Sequence, residues 1–130
     1  MREASLELLA PRADVWAFLA EPFHLPDWWP GITGVEPDRR GFAPGARWKV
    51  RSTKRNILTG TRFVETMLLI RDVEPYERWS WHLLQPTLDA EIRVRATAED
   101  RTQVTVAVSR GNPARAVRRL YDLVQTAATM

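Results

Sequence analysis

The 130-residue sequence predicts an α+β fold in which a curved antiparallel sheet of about seven strands packs around a C-terminal α-helix. Two observations lead to this fold class. Between positions 46 and 108, apolar and polar residues alternate in several segments joined by short turns, which is typical of an antiparallel meander with one wet face. From position 111 onward, apolar residues instead recur at helical spacing.

The N-terminal part predicts one strand followed by two short helices. Residues 3–9 suit a short first strand. A helix begins near Pro11 and is stopped by Pro22. Its apolar residues at helical spacing are Val15, Trp16 and Leu19. The segment HLPDWWP (24–30) then has room for one or two helical turns that carry both of its tryptophans.

The alternating segments predict which side chains face the inside of the sheet. Their opposite faces carry charged residues such as Arg47, Lys49 and Arg93, so one face is wet. The predicted inward-facing residues are Trp48, Val50, Ser52, Val64, Thr66, Leu68, Ile70, Trp79, Trp81, Leu83, Ile92, Val94, Val104 and Val106.

The C-terminal helix is predicted to begin after Gly111, with Asn112 as its N-cap and Pro113 in the first turn. Its apolar stripe is formed by Val117, Leu120, Tyr121 and Val124. The inner face of the sheet is the only apolar surface left for this stripe to cover. We therefore expect one domain that spans residues 1–130.

The composition excludes several classes of protein. The sequence has 19 basic and 16 acidic residues, a formal net charge of +3 and no cysteine, so disulfides and thiolate sites are impossible. No metal-ligand spacing or phosphate-binding loop occurs, and we expect no metal, no cofactor and no nucleic-acid partner. The N-terminus carries charges where a secretory signal is apolar, and no apolar run reaches the roughly 20 residues of a membrane span. We expect a cytoplasmic protein without stable membrane insertion.

Three stretches carry a family resemblance: APRADVWAFLAEPFHLPDWWPGITGVE (10–36), FAPGARWKVR (42–51) and VEPYERWSWHL (73–83). In them the chain resembles the SRPBCC superfamily, the START-like or birch-pollen-allergen-like proteins of helix-grip fold, and within it the small bacterial polyketide cyclase/dehydrase-like group. The resemblance implies a space between sheet and helix that holds an apolar molecule, in which only some members perform chemistry. The C-terminal helix, shorter than in many relatives, predicts a more open mouth.

The large side chains either plug the interior or line a hollow. Neighbouring Trp28 and Trp29 cannot point the same way, so we expect one in the core and the other at the rim, without knowing which. The residues predicted to contact the ligand are Trp28, Trp29, Trp48, Val50, Val64, Thr66, Leu68, Trp79, Trp81, Ile92, Val117, Leu120, Tyr121 and Val124.

Two functions remain open from the sequence. The first is binding of a small hydrophobic molecule, with the aromatic walls supplying most of the free energy. The second is a cyclase or dehydratase-like reaction in the same space, for which His24, Thr66 and Tyr121 are the candidates for proton transfer. A third possible function is that of an interaction module that binds a partner protein. The sequence is also compatible with a homodimer.

Overall fold

The structure, a computed structural model, describes residues 1–58, 60–85 and 87–129, with the side chains of all of these except 54–56, 61 and 125–129. Its elements in chain order are β1 (Arg2–Leu8), α1 (Arg12–Leu19), a 3-10 turn (Pro22–His24), α2 (Leu25–Trp28), β2 (Ile32–Glu36), β3 (Arg47–Asn56), β4 (Gly60–Glu74), β5 (Arg78–Leu83), β6 (Leu88–Ala98), β7 (Arg101–Val108) and α3 (Pro113–Thr129).

Within the described residues, seven strands form one antiparallel sheet in the order β1-β7-β6-β5-β4-β3-β2. The first strand joins the edge of the meander by pairing with the last, so that Arg2 lies opposite Val108. Short turns connect β3 to β7 in sequence order, as the alternating pattern predicts. The predicted α+β helix-grip architecture is confirmed.

The inner face of the sheet carries the apolar set that the alternation predicts. Trp48 on β3 lies opposite Leu68 on β4, and Trp79 on β5 lies opposite Ile92 on β6. All four are at most 1% exposed. Their burial forms the centre of the core.

Helix α3 covers one side of this face. It contacts β1, β7 and α2. Val117 and Leu120 are buried, whereas Tyr121 and Val124 are half-buried. The predicted N-cap is confirmed, since the backbone N–H of Ala114 donates to the Asn112 side-chain oxygen at 3.0 Å.

The loop of residues 37–46 covers another part of the inner face. It is tied to the sheet by the Gly45 N–H, which donates to the carbonyl of Ile70 at 2.8 Å. Gly45 has φ +86°, and a Cβ there would lie 2.6 Å from Nη1 of Arg40. The Arg40 side chain can move aside, so it is the positive φ that favours glycine at this turn.

Asp38 holds the two ends of this loop together. Its carboxylate accepts the backbone N–H of Arg47 at 2.9 Å and that of Arg40 at 3.0 Å. These hydrogen bonds, chiefly that from Arg47, hold the pKa of Asp38 below its ordinary value. The charged form is thus favoured in the folded state.

Asp38→Ala is expected to lower the melting temperature at neutral pH, because the loop loses both hydrogen bonds. A carboxylate with a lowered folded-state pKa stabilises above the unfolded pKa, about 3.9, and this stability is lost as pH falls through the folded pKa. Thermal melts at a series of pH values should therefore show the gap between the two proteins narrowing below about pH 4. A gap that stays constant down the acid range would contradict this role.

Candidate functional site

Six aromatic side chains pack together between the sheet, α2 and the 37–46 loop. This aromatic cluster consists of Trp28, Trp29, Phe42, Trp48, Trp79 and Trp81. Phe42 meets Trp79 edge-on at a centroid distance of 4.8 Å, and Trp79 lies 6.3 Å from both Trp28 and Trp81. Such contacts add about 0.5–1.5 kcal/mol per pair to the burial of the rings. The centre of the fold is therefore filled by indoles.

The indole N–H groups of this cluster are unequally satisfied. Trp48 donates to the carbonyl of Gly41 at 2.6 Å. In the described part of the chain, the buried Nε1 atoms of Trp28, Trp79 and Trp81 have no hydrogen-bond partner. An unpaired buried donor costs about 1–3 kcal/mol. The cluster therefore contains three indole donors that are both unpaired within the described residues and closed to solvent.

A cleft of about 290 Å³ opens beside the cluster, where the sheet ends and α3 begins. We call it the mouth cleft. It is lined by Trp29, Pro30, Gly31, Ile32, Ser52, Thr53, Leu83, Leu88, Val108, Arg110, Gly111, Asn112, Pro113, Arg115 and Ala116. Its wall is largely apolar.

The two adjacent tryptophans diverge at this point. Trp28 ends α2 and is fully buried, whereas Trp29 has extended backbone angles of φ −94° and ψ 116° and lines the mouth cleft. The rings meet at 83°, and Trp29 rests edge-on against Trp81 at 4.7 Å. Trp29 therefore forms a wall between the mouth cleft and the interior of the aromatic cluster.

The rim of the mouth cleft is cationic. Arg110 and Arg115 are exposed lining residues, and none of the lining residues is acidic. The Ser52 hydroxyl, at the wall, donates a long hydrogen bond of 3.5 Å to the carbonyl of Val64. The combination of apolar wall and cationic rim suits a molecule with an apolar body and an acidic group.

Most of the predicted ligand contacts lie outside the mouth cleft. Trp29 lines it, and Val124 lines a second cleft of about 330 Å³ at the opposite end, which we call the rear cleft. The predicted residues that lie in the core or on its edge are Trp28, Trp48, Val50, Val64, Thr66, Leu68, Trp79, Trp81, Ile92, Val117, Leu120 and Tyr121. Their contact with a ligand stays a prediction.

The three candidates for proton transfer stand on separate elements. His24 ends the 3-10 turn, where Nδ1 donates to the carbonyl of Phe18 at 2.9 Å and the ring stacks on Phe18 at 4.2 Å. Thr66 is half-buried on β4, opposite Val50. Tyr121 is half-buried on α3 beneath an arginine side chain. His24 has a clear structural role, and the catalytic roles stay predictions.

Several residues that line the mouth cleft were not predicted from the sequence. Arg110, Ala116 and Leu88 belong to the mouth cleft but not to the predicted set. Each stands beside the end of an element, and the Gly111 break marks the junction of β7 and α3. The sequence does show this break, and it could have predicted the lining residues. Where a helix starts beside the end of a strand, the residues between them lie at the mouth of the cleft.

Neither a metal site nor a membrane span is found in the part of the chain that the structure describes. No group of three or more His, Cys, Asp or Glu side chains among these residues is placed to hold a metal ion. No helix among them is long and apolar enough to cross a membrane.

A family profile matches residues 3–128, and its description is polyketide cyclase / dehydrase and lipid transport. The chain belongs to this family. Its predicted membership of the SRPBCC superfamily, in the polyketide cyclase/dehydrase-like group, is thereby confirmed. No curated protein sequence matches the chain significantly.

Solved structures similar to this SRPBCC protein include DR_A0006 of Deinococcus radiodurans, which is 20% identical over 96% of this chain and 95% of the other, with a TM-score of 0.72. The di-domain ARO/CYC BexL of the BE-7585A biosynthetic pathway is 17% identical over 100% of this chain and 48% of its own length, with a TM-score of 0.71. Ara h 8.0201 is 13% identical over 96% and 97%, with a TM-score of 0.68. These likenesses establish the fold.

Proposed function

We propose that this SRPBCC protein is a single domain that binds a small hydrophobic molecule in the mouth cleft. The observation that carries the proposal is Trp29, whose ring forms part of the wall of an apolar cleft while resting on a buried tryptophan. A large ring fixed in this way supplies contact area with little loss of side-chain entropy. The volume of about 290 Å³ is close to the lower end of typical ligand sites, roughly 300 Å³.

The ligand we propose has an apolar or aromatic body and one acidic group. The body lies against Trp29 and Ala116, and the acidic group meets Arg110 and Arg115 at the rim. Pairing of a carboxylate with a guanidinium gives a charge-assisted hydrogen bond, which is about twice as strong as a neutral one. The rim thus selects among apolar molecules that fit the cleft equally well.

Native mass spectrometry of the purified protein, followed by tryptophan fluorescence titration, tests the proposal. The panel contains fatty acids, aromatic carboxylic acids, sterols and flavonoids, each acid paired with its neutral amide or ester. We expect a co-purifying apolar mass, or a fluorescence change that saturates at about one equivalent. A protein that is empty and whose tryptophans respond to no member of the panel would contradict ligand binding.

The double variant Arg110→Gln, Arg115→Gln is expected to bind an acidic ligand about tenfold more weakly, because a charge-assisted hydrogen bond contributes about 1.5–3 kcal/mol and part of it is screened at the surface. Its affinity for the neutral amide should not change. Fluorescence titration measures both affinities.

The matched control is Arg118→Gln, which removes a cation from the same helix at a position where it pairs with Asp122 at 3.5 Å. This variant should bind both ligands like the unmodified protein. Equal losses in the double variant and in the control would show that only the net charge matters, and the rim would then have no specific role.

A cyclase or dehydratase-like reaction is the second candidate, and the three unpaired indole N–H groups favour it. Carbonyl oxygens of a polyketide-like chain are acceptors of the kind that Trp28, Trp79 and Trp81 lack. Displacement of the Trp29 ring would be needed to admit them. Turnover of a poly-carbonyl substrate that disappears in Tyr121→Phe while binding persists would support an enzymatic function. Binding of the substrate without turnover would support the first proposal, a binding protein.

A further inference from the structure

The hairpin formed by β3 and β4 extends well beyond the rest of the sheet. β2 pairs with β3 only as far as Ser52, and β5 pairs with β4 only from Leu68 onward. Among the described residues, the strand segments 53–56 and 60–63 therefore pair only with each other, apart from the Thr53 N–H, which donates to the carbonyl of Gly31, just before β2, at 2.9 Å. We call residues 53–58 and 60–63 the projecting ribbon. At about 3.3 Å per residue, its end lies about 15 Å beyond Ser52.

The end of the projecting ribbon is apolar and fully open to solvent. Ile57 is 102% exposed and Leu58 is 92% exposed, whereas Phe63, 67% exposed, lies at the base of the ribbon opposite Thr53. Single exposed apolar residues are common on protein surfaces, but two adjacent large ones that are almost wholly exposed at one tip mark a surface that contacts something else. Leu84, also exposed, lies in the turn after β5 at the same end of the sheet.

The same stretch of sequence is strongly basic. Between positions 49 and 62 the chain has five cationic residues and no acidic one, although its net charge is only +3. They are Lys49, Arg51, Lys54, Arg55 and Arg62. Glu65, just outside this stretch, pairs with Arg51 at 3.6 Å. An apolar tip in a basic stretch of sequence, with Arg62 exposed beside it, complements a surface with an apolar interior and anionic headgroups.

The projecting ribbon and the mouth cleft share one end of the molecule. Ser52 and Thr53 line the mouth cleft, and β3 runs directly from them to the tip. Arg110 and Arg115 stand on the other side of the same opening. A surface that met the tip would therefore face the mouth cleft.

We propose that the projecting ribbon docks this protein on the surface of an anionic lipid bilayer, with Ile57 and Leu58 inserted among the lipids and the exposed Arg62 against the headgroups. The protein lies on the membrane and does not span it. Docking directs the mouth cleft toward the bilayer. The proposal rests on the ribbon alone and stands whatever the mouth cleft binds.

Flotation of the full chain with vesicles tests this proposal. The vesicles are phosphatidylcholine alone and phosphatidylcholine with about one-third phosphatidylserine, at low and at physiological ionic strength. We expect flotation with the anionic vesicles, weakened by salt. Ile57→Ser with Leu58→Ser should lower the partition coefficient at least tenfold, and Arg62→Gln about fivefold.

The matched control is Leu9→Ser with Leu123→Ser, which removes two partly exposed leucines that line the rear cleft. It should float like the unmodified protein. Because Ile57 and Leu58 are solvent-exposed, the ribbon variant should keep its melting temperature.

Two results would overturn the proposal. One is the absence of flotation with anionic vesicles even at low ionic strength. The other is flotation that the Ile57, Leu58 variant leaves unchanged, with heparin beads capturing the variant as well as they capture the unmodified protein. That result would assign the basic stretch to polyanions in general.

Discussion

Trp79→Ala is expected to lower the free energy of unfolding by about 3–5 kcal/mol. The ring is 1% exposed and contacts four others, Trp28, Phe42, Trp48 and Trp81. Its removal leaves a cavity between the sheet and α2, because the neighbouring rings are fixed by each other and close the gap only in part. Urea unfolding followed by far-UV circular dichroism measures the loss without relying on tryptophan emission.

Phe23→Ala is the control for this substitution. Phe23 is an aromatic residue in the 3-10 turn and is 63% exposed, so its removal should change the stability by no more than about 0.5 kcal/mol. If the two variants lost similar amounts, or if Trp79→Ala lost less than about 1 kcal/mol, the aromatic cluster would not be the centre of the core.

Ser52→Phe is expected to weaken ligand binding roughly 50- to 100-fold, because the new ring displaces about 100 Å² of ligand contact at about 25 cal/mol per Å². Ser52 is a small residue on the wall of the mouth cleft, between Ile32 and Val64 on the neighbouring strands. A strand position accepts phenylalanine without a penalty in backbone propensity. Fluorescence titration with the tightest ligand of the panel measures the change.

Leu123→Trp provides the matched control, since it fills the rear cleft in the same way. Its affinity for the ligand should equal that of the unmodified protein. The opposite pattern, with binding lost in Leu123→Trp and kept in Ser52→Phe, would move the site to the rear cleft. Val124, which the sequence predicted as a ligand contact, lies there.

Much of the fold was predictable because its signals are local. Strict alternation assigned Trp79 and Trp81 to the inner face and His82 to the outer one, where its ring pairs with Asp89 at 2.8 Å. Asn112, a residue type that favours the N-cap and is followed directly by a proline, predicted the start of α3 correctly. Such patterns need no knowledge of distant residues.

The candidate site was less predictable because it depends on how distant elements meet. The sequence predicted that the side chains of Trp28 and Trp29 point in different directions. Which of them reaches the mouth cleft follows from the extended backbone at Trp29. Leu68 and Ile92 face inward as predicted, yet the aromatic cluster and the packed helices leave both of them 0% exposed. The length of the projecting ribbon likewise follows from where β5 begins to pair with β4, and no local pattern encodes that register.

The most direct test of the mouth cleft as the ligand site is a ¹⁹F NMR titration of the protein labelled with 5-fluorotryptophan. Each of the six tryptophans gives one resonance, which single Trp→Phe variants assign. Addition of the ligand should shift the Trp29 resonance most and that of Trp81, its contact at 4.7 Å, next, while Trp16 stays unmoved. Saturation of binding with no shift at Trp29 would contradict the account.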